Sequence, residues 1–241
     1  MIRINRNKLA GWFLLALAAA VFRPAVLVAE EKPTNVILMM SDDQGWGDAG
    51  YNGHKILKTP HLDAMAAAGL RFNRFYSSSP VCSPTRGSCL TGRHPYRYGI
   101  LYANAGGPTA LSRYLLPKEE ITLAEVLSGR GYRTGHFGKW HLGDFEGKTR
   151  SAPSDHGFDE WFSTARKVAT LNPDAASYRH NGNKVAGPLK GDDSKIIMDK
   201  AIPFIRSAVK QKKPFFAVIW FHTPHLPIVA AEKHRKLYPG R

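Results

Sequence analysis

Two short, continuous apolar runs constrain this chain most: residues 35–40 (NVILMM) and 214–221 (PFFAVIWF). Each is too short for an independent helix and too uniformly apolar for a strand wetted on one face. Each therefore predicts a strand buried on both faces, the usual condition in a parallel sheet. Parallel strands need crossover connections, and helical patterns stand between them. Thr59-Pro60 opens a short helix to Ala68 with Gly69 as its stop, and residues 71–76 resume an extended reading. Ser83-Pro84 opens a second helix that Gly92 ends. In residues 121–131, Thr122 is the N-cap, Leu123, Val126 and Leu127 form the apolar face, and Gly129 or Gly131 is the stop. Residues 132–137 then read as a strand.

Residues 144–193 are rich in Gly, Pro, Asp, Asn and Ser and predict long loops, with a hairpin at Asn181-Gly182. Residues 193–210 place Ile197, Ala201, Phe204, Ile205 and Ala208 on one helical face, with a kink expected at Pro203. The alternation of strand and helix predicts one α/β domain around a mostly parallel sheet. After residue 221 the chain reads as polar loop with no helix to close the layer, so the domain is expected to be unfinished at its C-terminus.

Residues 1–29 have a different character. Arg3, Arg6 and Lys8 precede the apolar run 9–22, and small residues follow through Ala29, which is the layout of an export signal. The run is shorter than the roughly 20 apolar residues a membrane-spanning helix needs. Cleavage could follow Ala20, Ala25 or Ala29; with the whole of 1–29 taken as the signal, 30–241 is the mature domain, secreted or periplasmic, with the membrane involved only through the signal. Removing Arg3, Arg6, Lys8 and Arg23 lowers the formal net charge from +15 to +11. The remaining Lys and Arg are scattered, and no zinc-finger, RRM or P-loop spacing occurs. The charge therefore implies attraction to anions without pointing to nucleic acid.

Cys82 and Cys89 are the only cysteines. On one helix their Cα atoms would lie ~10 Å apart, beyond the ~7 Å reach of a disulfide. Asp42-Asp43 follow the first apolar run, at the carboxyl end of a predicted strand, where open α/β sheets bind ligands. Neighbours on a strand point to opposite faces, so a shared ligand requires the chain to leave the strand there, which Gln44-Gly45 allows. Lys139 and His141 are two apart in an extended reading, so both face one side and Trp140 the other. Arg86 stands one helical turn after Cys82 and reaches back towards it.

Cys82-Ser83-Pro84-Thr85-Arg86, continuing Gly87-Ser88-Cys89-Leu90-Thr91-Gly92-Arg93, resembles the type I sulfatases, whose signature is C-x-P-x-R leading into a helix that ends in T-G-R. Other segments agree in order: Asn35-Val36-Ile37-Leu38 to Asp42-Asp43-Gln44-Gly45, Thr59-Pro60-His61-Leu62-Asp63, Gly138-Lys139-Trp140-His141-Leu142-Gly143, Gly157-Phe158-Asp159, and Phe221-His222-Thr223-Pro224-His225-Leu226-Pro227.

The resemblance implies an alkaline-phosphatase-like sheet sandwiched by helices. It also implies hydrolysis of sulfate esters through a formylglycine made from Cys82 by a separate maturation enzyme. Asp42, Asp43 and residue 82 would hold one divalent cation, Ca²⁺, which favours oxygen ligands. Arg86 would support the modified side chain or the carboxylates, Lys139 would bind sulfate, and His141 would serve the formylglycine hydroxyl as proton acceptor or hydrogen-bond partner. His225 would be a sulfate ligand and acid for the leaving alcohol, and His222 a structural histidine.

The substrate would be a sulfated small molecule or a sulfated polysaccharide. The later metal ligands and second lysine of the family have no match after His225, so little turnover is expected of this chain alone. Two further readings stand beside this one: a phosphonate or phosphate monoester hydrolase on the same fold, and a non-catalytic anion-binding remnant.

Overall fold

The computed structural model describes residues 32–103 and 115–240. The export signal expected at 1–29 lies outside the described residues. Among those described, no helix is long and apolar enough to cross a membrane.

A six-stranded sheet has the order β1-β6-β2-β3-β4-β5. Its strands are β1 Val36–Met40, β2 Arg133–Lys139, β3 Glu160–Thr164, β4 Tyr178–His180, β5 Asn183–Lys184 and β6 Phe215–Trp220. The first four in spatial order are mutually parallel, and β4 and β5 join antiparallel. The turn between β4 and β5 is Asn181-Gly182, both at positive φ, as a tight hairpin turn requires. The fold class thus matches the sequence reading.

β6 explains the sheet's stability. Its six residues are all buried, with alternate side chains entering two separate cores. Phe216, Val218 and Trp220 join Leu90, Tyr98, Trp140 and Phe158 on one face. Phe215, Ala217 and Ile219 join Phe137, Phe162, Ile197, Ala201 and Phe204 on the other. The latter face is covered by the helix Asp193–Lys210, whose buried Ile197, Ala201, Phe204 and Ala208 recur at helical spacing. That helix runs on through Pro203.

Several local expectations need correction. β1 was expected to be buried on both faces, but it is the edge strand. Val36, Leu38 and Met40 pack on the core, whereas Ile37 and Met39 are half exposed. β3 arises inside the stretch expected to be loop, where the run Trp161-Phe162-Ser163 is short but suited to a strand. Residues 71–76 contain no strand and are exposed. The helix Leu123–Ser128 has the expected Thr122 capping box, yet its buried residue is Ala124, while Leu123 and Val126 are substantially exposed. One short helix, Glu232–Arg235, occurs in the stretch expected to be loop.

Candidate active site

Because β1, β6, β2 and β3 are parallel, their carboxyl ends line one edge of the sheet. Asp42 follows β1, His222 and His225 follow β6, Lys139 and His141 close β2, and Thr164 closes β3. The loops are tied together there: Asp42 N–H donates to Thr223 O (3.0 Å), and Trp140 N–H donates to Thr164 O (2.8 Å).

Cys82 opens the helix Cys82–Thr91 and is half-buried, as is Cys89, and both are free thiols. Burial pushes the Cys89 thiol up. Four residues on from Cys82, Arg86 is fully buried. Its Nη2 donates to Asp42 Oδ1 (3.1 Å), its Nη1 donates to Lys139 O (3.0 Å), and its guanidinium lies 5.0 Å from the Trp220 ring centroid. Lys139 Nζ donates to the other Asp42 oxygen at 2.7 Å. Arg86 therefore reaches the carboxylate beside Cys82, one of the two targets the sequence allowed.

The electrostatics follow from that triangle. Burial alone would raise the Asp42 carboxyl, but Arg86 and Lys139 outweigh it and hold it below the usual carboxylate range. Burial lowers the Arg86 guanidinium, opposed by Asp42 and Cys82. The buried centre thus has two cations facing one carboxylate.

His141 was expected to share a face with Lys139 by strand alternation. β2 stops at Lys139, and His141 instead has φ 58°, a left-handed turn that breaks the alternation. The turn still brings it to the centre. Burial, then Lys139 and Arg86, push its imidazole down to about 3, so it is neutral at ordinary pH. Trp140 is buried in the opposite core and donates from its indole N–H to Ser151 O at 2.5 Å. Gly138 is at φ +105°, and a Cβ there would meet Trp220 O at 1.9 Å, so the segment needs glycine at its start.

Asp42, Cys82 and His225 offer one ligand atom each, all within 4.8 Å of one another. His225 is thereby drawn to the same point as the expected metal ligands. Asp43, at φ 59°, is half exposed, with its carboxylate 3.4 Å from His225 Nε2. The chain does leave the strand before the acidic pair, as a shared ligand requires. Asp43, expected as a metal ligand, is not among the three residues that converge; a single carboxylate, that of Asp42, stands at the point where a divalent cation would be held. As encoded, the set is mixed in oxygen, sulfur and nitrogen, short of the 6–8 oxygens that calcium takes.

His222 is fully buried and hydrogen-bonded on both ring nitrogens, to Asp193 Oδ2 and Thr164 Oγ1, each at 2.8 Å. Tyr178 O–H donates to the other Asp193 oxygen. This closed network gives His222 the structural part expected of it. Sequence reasoning missed Asp193 and Thr164, and also missed Arg166, which lies close enough to His141 to lower its basicity. The only signal for them was position, since each sits within two residues of an element boundary.

Known proteins share this sequence pattern and this fold. The family described as Sulfatase matches residues 34–241. N-acetylgalactosamine-6-sulfatase of Mus musculus is 33% identical over 222 residues, covering 84% of this chain and 42% of its own. The chain therefore spans less than half the length of that relative. Two solved structures share the fold: Ps i-CgsB in complex with k-i-k-neocarrahexaose and BT4656 in complex with its substrate D-glucosamine-2-N,6-O-disulfate. The first superposes with TM-score 0.75 at 28% identity, covering 86% of this chain and 48% of that one. The second does so with TM-score 0.69 at 27% identity, covering 84% and 37%.

Proposed function

We propose, for a chain that belongs to the sulfatase family, that the centre at Asp42, Cys82, Arg86, Lys139, His141 and His225 serves the hydrolysis of sulfate esters. The observation that carries the reading is the convergence of Cys82, Asp42 and His225 within 4.8 Å, beside two buried cations paired with a single buried carboxylate. A sulfate ester is an anion, and attack on it is slow unless its charge is neutralised and a strong nucleophile is held against it.

The residues divide that work. Lys139, tied to Asp42 by one of its three donors, has others to offer a sulfate oxygen. Arg86 fixes the Asp42 carboxylate and the Lys139 backbone, which keeps the cationic wall rigid. His141, held neutral, offers a nitrogen that can accept a hydrogen bond or proton from the attacking group. His225, partly exposed and 3.4 Å from Asp43, would supply the proton to the leaving alcohol. Asp42 and Asp43 would hold a divalent cation, Ca²⁺ by the family's habit, whose chemistry is to draw charge from the sulfate oxygens. Once Cys82 is converted to formylglycine and the aldehyde is hydrated, residue 82 would supply an oxygen nucleophile towards sulfur in place of the thiol, and would put oxygen in place of sulfur beside Asp42.

Sulfated sugars, such as the D-glucosamine-2-N,6-O-disulfate in the BT4656 structure, are the proposed substrate class, met outside the cell or in the periplasm after export by residues 1–29. A formylglycine-generating enzyme is the required partner. The test is co-expression with such an enzyme, followed by mass measurement of the peptide carrying residue 82. A loss of about 18 Da marks thiol-to-aldehyde conversion. A full-length version, converted in the same way, is then assayed on aryl sulfate and aryl phosphate with and without Ca²⁺. Conversion with preference for sulfate supports the reading. Unmodified thiol, or preference for phosphate, contradicts it.

A further inference from the structure

One buried layer of the molecule holds polar atoms that the proposed chemistry leaves unmatched. Arg86 Nε, Trp220 Nε1 and His136 Nε2 are buried, and none has a hydrogen-bond partner among the described residues. They are grouped around one ring. The Arg86 guanidinium stands 5.0 Å from the Trp220 ring centroid, and the His136 imidazole meets the same ring edge-on at 5.1 Å. His136 is fully buried in β2, where Trp140 and Phe158 also close on its ring, at 5.1 and 5.4 Å. It therefore touches both the platform under Arg86 and the residue between Lys139 and His141.

The hydrogen bonds at Ser163 locate the proton on His136. Ser163 has a single hydroxyl proton, which it donates to His136 O at 3.3 Å, so its oxygen accepts from His136 Nδ1–H at 2.7 Å. Burial, and then the Arg86 charge, hold the imidazole well below its ordinary 6.5, so the ring is neutral and Nε2 carries a bare lone pair. The layer thus contains one acceptor without a donor and two N–H donors without an acceptor. A buried polar group left unmatched costs more than an ordinary hydrogen bond contributes, and internal water is the usual remedy where about two to four such groups converge.

We propose that Arg86 Nε, Trp220 Nε1 and His136 Nε2 bind one internal water molecule, and that through it His136 is a positioning residue for Arg86. The hydrogen bonds balance: the water oxygen accepts from Arg86 Nε–H and Trp220 Nε1–H, and one of its protons goes to His136 Nε2. Asp42 already engages Nη2 of the guanidinium and Lys139 O engages Nη1, so the water takes up the remaining nitrogen and Arg86 becomes a fixed wall of the centre. The consequence for catalysis rests on the sulfatase reading above; the water site does not, and it is tested without a substrate.

The test is magnetisation transfer from water, read by NMR at the Arg86 Nε–H and Trp220 Nε1–H signals of the nitrogen-labelled full chain, in the native protein, His136→Phe and His136→Gln. Phe keeps a ring against Trp220 but has no acceptor, and the Gln amide oxygen restores one near the position of Nε2. Both signals should show dipolar transfer from a long-lived water, distinguished by its sign from proton exchange, in the native protein and in His136→Gln. Both transfers should be lost in His136→Phe, and the native His136 nitrogen shifts should show Nδ1 protonated and Nε2 bare. A residue that merely fills the core would not separate Phe from Gln in this way. A native protein with no water transfer at either signal, or with the imidazole proton on Nε2, overturns the site and leaves the sulfatase reading intact. Transfer that survives His136→Phe, or that His136→Gln fails to restore, overturns the part assigned to His136. The native measurement decides the water site whether or not either variant folds.

Discussion

Two buried carboxylates stand at the same edge of the sheet, and they are finished differently. Asp193 lies between Tyr178 and His222, and His222 is held in turn by Thr164; the group is a closed set in which each acceptor meets a protein donor. Asp42 lies between Arg86 and Lys139, beside a half-buried thiol and a partly exposed histidine, with more cation than anion in the buried layer. Both sets are costly to bury, and only the second retains unmatched charge. A buried network that is complete within the protein supports the fold, whereas one left incomplete is prepared for a ligand.

The largest difference between the two should appear on neutralising each carboxylate. Asp42→Asn leaves two buried cations without their counter-charge, and loss of one partner from a buried ion pair costs about 3–5 kcal/mol. Urea unfolding of that variant should show a midpoint shift of that size. Asp193→Asn keeps hydrogen-bonding capacity towards Tyr178 and His222, so its cost should be nearer 1–3 kcal/mol, the range for a mismatched buried hydrogen bond. Equal losses, or the reverse order, would break the comparison.

The smallest effect is in pH. Burial, chiefly, pushes His136, His141 and His156 below their ordinary value of 6.5, with Lys139 and Arg86 adding to the shift at His141. Below pH 6.5 the unfolded chain takes up protons that these folded histidines refuse, so stability should fall as pH drops from 6.5 to about 5. His141→Gln should make that decline shallower by removing one of the three contributors. Urea midpoints across this range would read it, and an unchanged slope would mean that His141 is not held neutral by its surroundings.

How far the sequence foretold these regions depends on the kind of signal each carries. β6 and the helix Asp193–Lys210 were legible because apolar periodicity reports burial directly. β1 carries a run just as apolar, yet it lies at the edge, because periodicity reports what a strand could bury and not whether a neighbour is there. β3 was hidden inside a loop-like composition, since its pairing with β2 comes from tertiary context. At the site, Cys82, Arg86 and Asp42 were legible through motif spacing. The meeting of His141 with Lys139 was anticipated for the wrong reason: alternation predicted what a left-handed turn delivers. Asp193 and Thr164 carried no motif, and only the folded chain brings them to His222.

The central claim is that the Asp42 centre carries surplus positive charge for a sulfate. Titration of inorganic sulfate into the unmodified chain at low ionic strength tests it most directly, comparing the native protein with Lys139→Met and Asp193→Asn. The account predicts saturable binding that Lys139→Met abolishes, because one cation then faces one carboxylate, and that Asp193→Asn leaves within about twofold of native, a difference on the scale of a few tenths of a kcal/mol. Binding that survives Lys139→Met, or no saturable binding to the native chain, would contradict it.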